Sequence, residues 1–158
     1  AQLVMSLPGM QRGQRCFQLG LGGLMKATRG GEIPSVIEYV GSSLGKMTKD
    51  WIAALKQAAG NENAELRLLF PTVSYARQHP DGPSAFATMF CRREVWEHCP
   101  DRAIFHQMES AIIPHQPVHA KIITATNLEG SPLWTYVGSH NCTASAWGRW
   151  SKDGHSLM

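Results

Sequence analysis

No run in this sequence approaches eighteen consecutive apolar residues, so no helix in it is long and apolar enough to cross a membrane. The opening lacks the basic-then-apolar layout of a secretory signal, and it does not begin with Met, so a cut from a longer chain is expected. No internal repeat and no low-complexity tract stands out. Charge is sparse at 17% and hydrophobic residues make up 43% of the 158, which argues against a disordered polyelectrolyte and for one globular domain over 1–158. The net charge of +3 permits a nucleic-acid partner without demanding one. Cysteine is limited to Cys16, Cys91, Cys99 and Cys142. No two stand at the tight spacing of a zinc site, since seven residues separate the nearest pair, and reduced thiols of a cytosolic or nuclear protein are expected. Arg92 and Arg93 read either as phosphate contacts or as a solvated face.

What is present is strands and helices in alternation. Val4–Ser6 suggests a short strand before a Pro8-Gly9 turn. Leu19, Leu21, Leu24 and Met25 mark a weak helical face that ends at Gly30-Gly31. Residues 35–40 read as a strand and 40–46, "VGSSLGK", as a loop of small residues. The clearest helix spans 48–59, with Thr48 as N-cap, an apolar face of Trp51, Ile52 and Leu55, and Gly60 as terminator. Residues 65–71 read as a buried strand stopped by Pro71, and Thr72–Arg77 as a short helix. "RQHPDGPSAFA" reads as a loop, and 91–108 as two helical pieces split at Pro100. Residues 118–126 and 133–139 form a hairpin around "NLEGSP", then "TASAWGRW" starts a helix or turn. The last residues read as a turn entering a strand. The fold class is α/β (α+β), a mixed sheet with helices on its faces. Trp51 and Trp147 sit at helical spacing among Ala and Leu, which favours core packing over base stacking.

The hairpin carries the chemistry. On a strand, residues two apart share a face, so His119 and Lys121 are expected together, with Ala120 and Ile122 turned to the core. Asn141 follows the next strand after a Gly-Ser corner. An imidazole, an ammonium and a carboxamide at the ends of neighbouring strands suit a phosphate group. Lysine and asparagine hold its oxygens while histidine attacks phosphorus or moves a proton. Thr143 and Ser145 open a helix whose N–H groups favour an anion, although a plain N-cap is an equal reading for Thr143. No carboxylate pair stands ready for a divalent cation, so neither metal nor cofactor is expected.

His119-x-Lys121 followed by "VGSHN" resembles the His-Lys-Asp motif of the phospholipase D superfamily, but Thr126 stands where most members carry Asp. "GSHNCTASAWG" resembles the second His-Lys-Asn motif of the tyrosyl-DNA phosphodiesterase family. "YVGSSLGKMTKDW", "LRLLFPTVSYAR" and "LVMSLPGMQRG" resemble further family segments, in the family's order. "PDGPSAF" resembles the loop that faces the peptide side, with Gly82 and Ser84 matching and Phe86 where proline is usual. The family carries two His-Lys-Asn sets and this chain one. The resemblance therefore implies a phospholipase D-like domain, the C-terminal half of a two-domain pseudo-symmetric enzyme.

It also implies hydrolysis of the bond between a DNA 3′-phosphate and a topoisomerase I tyrosine, a DNA repair reaction in the nucleus. A histidine of the N-terminal half attacks phosphorus. His119 protonates the leaving tyrosine and then activates water. Lys121 and Asn141 stabilise phosphoryl charge, and Ser43 and Thr143 donate to phosphate oxygens. For Ser43 a turn or helix-entry role is the other reading. The implied partners are DNA 3′ ends, a topoisomerase-derived peptide and the N-terminal domain, with no membrane partner. Two other functions remain open: a single-motif phosphodiesterase or nuclease completed by homodimerisation, and a non-catalytic module that binds DNA ends or phosphate.

Overall fold

The computed structural model describes residues 1–158. In chain order the strands are β1 (Gln11–Arg12), β2 (Val36–Val40), β3 (Glu65–Phe70), β4 (Phe105–Gln107), β5 (Lys121–Thr126), β6 (Pro132–Gly138) and β7 (Ser156–Leu157). The helices are α1 (Gly20–Thr28), α2 (Lys49–Ala58), α3 (Val73–Arg77), α4 (Arg93–Glu97) and α5 (Ala144–Trp147). Short 3-10 turns cover Gly13–Phe17, Gly82–Phe86 and Arg102–Ile104.

Five strands form one mixed sheet in the order β4-β3-β2-β5-β6. β2, β3 and β4 run parallel, and β5 is antiparallel to both β2 and β6. The C-terminal ends of β2 and β6 and the N-terminal end of β5 therefore meet along one edge. β1 and β7 form a separate antiparallel pair that ties the two chain ends together.

The core lies between one face of the sheet and its helices. Ile37 and Tyr39 of β2, Leu66 and Leu68 of β3, and Ile123 of β5 are buried with Leu21 and Leu24 of α1 and Trp51 and Leu55 of α2. α2 forms where its apolar face predicts, and the Thr48 hydroxyl caps it by accepting the Trp51 N–H at 3.1 Å. Trp51 and Trp147 are both buried core residues, so neither offers a ring for a base.

Three expectations change. The second helical piece of 91–108 is a single 3-10 turn that passes into β4, because Phe105 and His106 pair with Leu68 and Leu69 of β3. Sheet pairing there overrides a weak local preference. Val4–Ser6 contributes one isolated bridge, Met5 to Leu19, rather than a strand. The hairpin strand begins at Lys121, not at 118, and His119 precedes it in an extended segment.

Candidate functional site

The sheet edge just described holds the candidate site. β2 and β6 both end in the tetrapeptide Tyr-Val-Gly-Ser, at 39–42 and 136–139. Reading the sequence for long repeats misses this short one. Each glycine stands two residues after its tyrosine, hence on the same face of the strand. Each tyrosine lies along the strand over its glycine. A methyl group added at Gly138 would lie 2.1 Å from the Tyr136 hydroxyl oxygen, and one at Gly41 would lie 3.3 Å from the Tyr39 ring. The pattern carries both phenols to the edge.

There the phenols organise the segment that bears Asn141. The buried Tyr39 hydroxyl donates to the His140 carbonyl at 2.7 Å and accepts the Trp147 indole N–H at 2.7 Å. The Tyr136 hydroxyl bonds His140 Nδ1. The His140 ring stacks on Trp147 with centroids 4.4 Å apart. Burial lowers the His140 pKa from its ordinary value, which favours the neutral imidazole.

The loop after β2 packs directly against the segment after β6. Gly45 N–H donates to the Cys142 carbonyl at 2.9 Å. Asn141 Oδ1 accepts both the Ser42 hydroxyl and the Ser43 backbone N–H, each at 3.1 Å. With its oxygen fixed in this way, the amide group has its Nδ2 donor left to offer. Sequence reasoning misses the buried Ser42, although it lies within the recurring tetrapeptide that could have pointed to it.

Lys121 opens β5 opposite Gly138, and its neighbour Ile122 pairs with Val40 on the other side. Lys121 is buried in register with Ile123 and Ala125, while Ile122 is half-buried on the opposite face. The expected inward turn of Ile122 is therefore reversed. Burial pushes the Lys121 pKa down. Its ammonium donates to the His119 carbonyl at 2.8 Å and lies 3.0 Å from His119 Nδ1 and 3.3 Å from Nε2. An ammonium can only donate, so the ring nitrogen that accepts from it carries no proton.

His119, Lys121, Asn141 and Ser43 thus come from one edge of the sheet, with Lys121 at the start of its strand and Asn141 just beyond the end of its own. Thr143 follows at once, but its hydroxyl caps α5 by accepting the Ala146 N–H at 3.1 Å. Gly82 and Ser84 lie elsewhere, on a 3-10 turn after α3. The Ser84 hydroxyl donates to the Asp81 carbonyl at 2.7 Å, and the turn packs through Phe86 in a second small apolar cluster with Tyr75 and Ala76.

A family model described as tyrosyl-DNA phosphodiesterase matches residues 1–158. The fold is similar to a crystal structure of the yeast tyrosyl-DNA phosphodiesterase, with a TM-score of 0.65 and 16% identity, covering 83% of this chain and 39% of that one. It is equally similar to a mutant of the yeast enzyme, with a TM-score of 0.64, 14% identity and the same 83% and 39% coverage. The chain therefore spans about two fifths of the length of those enzymes. No curated protein matches it.

Proposed function

The chain belongs to the tyrosyl-DNA phosphodiesterase family, and from that premise we propose that it forms the C-terminal half of a nuclear DNA-repair phosphodiesterase. The bond cleaved joins a DNA 3′-phosphate to a tyrosine of topoisomerase I, and the partners are the DNA end, the attached peptide and an N-terminal domain. The observation that carries the reading is the orientation of Asn141. Two donors from the Ser42-Ser43 loop fix its oxygen, which leaves its N–H donor for an anionic ligand at the sheet edge where Lys121 begins its strand.

Each group then has a task. In the free site Lys121 donates to the imidazole of His119. A phosphodiester oxygen competes for that ammonium, because a charge-assisted bond to an anion is stronger than one to a neutral ring. Lys121 and the Asn141 amide then stabilise the charge that grows on the phosphoryl oxygens. Release from Lys121 frees His119 to carry a proton. As the imidazolium it protonates the departing tyrosine oxygen, and as the neutral ring it takes a proton from the water that cleaves a phosphohistidine. The nucleophilic histidine belongs to a second His-Lys-Asn set in the N-terminal half. Gly82 and Ser84, on their separate turn, serve the peptide side.

The test is hydrolysis of a 3′-phosphotyrosyl oligonucleotide by the intact protein that carries this chain. Turnover is expected, and it should persist in EDTA because no step uses a divalent cation. Loss of activity in EDTA with recovery on adding Mg²⁺ or Zn²⁺ contradicts the mechanism. Turnover by the 158-residue chain alone, as a dimer in gel filtration, favours a single-motif enzyme instead.

A further inference from the structure

His119 is exposed, and its ring bonds only Lys121. Once a phosphate oxygen takes that ammonium, the ring has no other hydrogen-bond partner in the chain. Its aim then depends on how its backbone is anchored. Residues 108–118, which lead from β4 to His119, are tied to one place, the small apolar cluster of Tyr75 and Phe86. Ser110 N–H donates to the Tyr75 hydroxyl at 2.8 Å. The His115 ring packs on Tyr75 with centroids 5.1 Å apart. His115 is also the one non-glycine residue in the left-handed region, at φ 62°, a strained backbone that persists only where its surroundings hold it.

A further tie is polar and lies three residues before His119. Asp81 N–H donates to His79 Nδ1 at 3.0 Å, so Nδ1 carries no proton and the neutral ring has its N–H at Nε2. The His79 side chain is nearly buried, edge-on to Phe86. Its Nε2 lies 3.4 Å from the Gln116 side-chain nitrogen. Two N–H groups do not bond each other, so the carboxamide, whose oxygen and nitrogen fill nearly the same volume, presents its oxygen to His79. Pro117 follows at once. Its ring fixes its own φ and keeps Gln116 out of helical backbone. The link from Gln116 to His119 is therefore short and stiff.

Resting on the phosphodiesterase reading, we infer that His79 and Gln116 are positioning residues for His119. Neither touches the reacting atoms. Their hydrogen bond fixes the start of the stiff link, and the link sets where the imidazole stands when it gives up Lys121 and transfers protons. A proton transfer tolerates little displacement, because donor and acceptor must come within hydrogen-bond reach.

The experiment follows turnover of a labelled 3′-phosphotyrosyl oligonucleotide by the intact protein, with the covalent protein–DNA adduct read on denaturing gels. Gln116→Met keeps the length of the side chain and removes the bond. It should lower kcat by up to about 10²-fold, the cost of a small misplacement. It should lower kcat/KM less, because the water-activating step follows departure of the tyrosine and enters kcat alone. The adduct should accumulate. A merely structural role reduces the amount of active protein, lowers both constants equally and builds up no adduct. Gln116→Glu keeps an oxygen for the His79 N–H and should retain most of the rate. His79→Phe, which keeps a ring against Phe86, should match Gln116→Met, and the double variant should be no slower than either, as for two residues acting through one bond. Where His79→Phe does not fold, the two Gln116 variants decide. Wild-type kcat in Gln116→Met overturns the inference and leaves the phosphodiesterase reading standing. So does an equal fall in both constants without adduct, a Gln116→Glu variant as slow as Gln116→Met, or additive losses in the double variant. Absence of cleavage by the wild-type protein overturns the phosphodiesterase reading, and the inference with it.

Discussion

The two Tyr-Val-Gly-Ser strand ends share a sequence but divide the work. At the end of β2 the pattern is sealed: Tyr39 and Ser42 are buried, and the phenol is satisfied on both sides by His140 and Trp147. At the end of β6 the same pattern is open. Tyr136 is half-buried, Ser139 is exposed, and His140 Nε2 is buried without a partner. The difference teaches that the β2 end is a support and the β6 end the part supported. The β2 loop grips the Asn141 oxygen, and the segment after β6 contributes the residue that is gripped.

The comparison sharpens most at Asn141 itself. Asn141→Asp keeps the oxygen that accepts from Ser42 and Ser43 but replaces the donor with negative charge. It should lower kcat/KM by about 10²–10³-fold, the usual cost of one lost donor to a reacting anion, while Tm stays close to wild type. Near-normal kcat/KM would remove the amide from the reaction.

A smaller effect separates the tyrosines. Tyr39→Phe leaves the Trp147 N–H and the His140 carbonyl without the partner they share, and should cost about 1–3 kcal/mol in denaturant unfolding. Tyr136→Phe removes a half-exposed bond and should cost about 1 kcal/mol or less. Equal losses at the two sites would break the distinction between a sealed and an open strand end.

The smallest effect is in pH. The folded state holds His140 below its ordinary value, so below the unfolded value of about 6.5 the unfolded chain binds more protons. Stability is therefore fully present above that pH and declines as pH falls through the depressed folded value. His140→Phe, which keeps a ring on Trp147, should flatten that acid limb in thermal melts. A limb of unchanged depth in the variant assigns it to other groups.

Much of this edge is legible in the sequence, because its parts are local. His-x-Lys before an apolar alternation and Asn after a Gly-Ser corner are short patterns with a chemical meaning. The α2 helix is legible for the same reason, with cap, face and terminator inside thirteen residues. What escapes depends on pairing between distant segments. β4 is too short to announce itself, and only its partner β3 makes it a strand. Lys121 is buried in register with Ile123 and Ala125, a facing that its charge does not announce. Ser42 matters through a residue 99 positions away. Thr143, which reads from sequence equally as a cap or a phosphate contact, caps α5 with its hydroxyl.

The most direct measurement of the central claim uses His119→Asn in the intact protein, mixed with a labelled 3′-phosphotyrosyl oligonucleotide and run on a denaturing gel. Both tasks assigned to His119 are proton transfers, each contributing about 10²–10⁴-fold. Tyrosine, with a pKa near 10, leaves with little help. Water attacking a phosphohistidine needs its proton taken, so the second step should suffer more. A slower-migrating labelled protein should accumulate, with the adduct on the N-terminal half rather than on this chain. Turnover near wild type with no such band would contradict the account, because His119 would then be neither the acid nor the base.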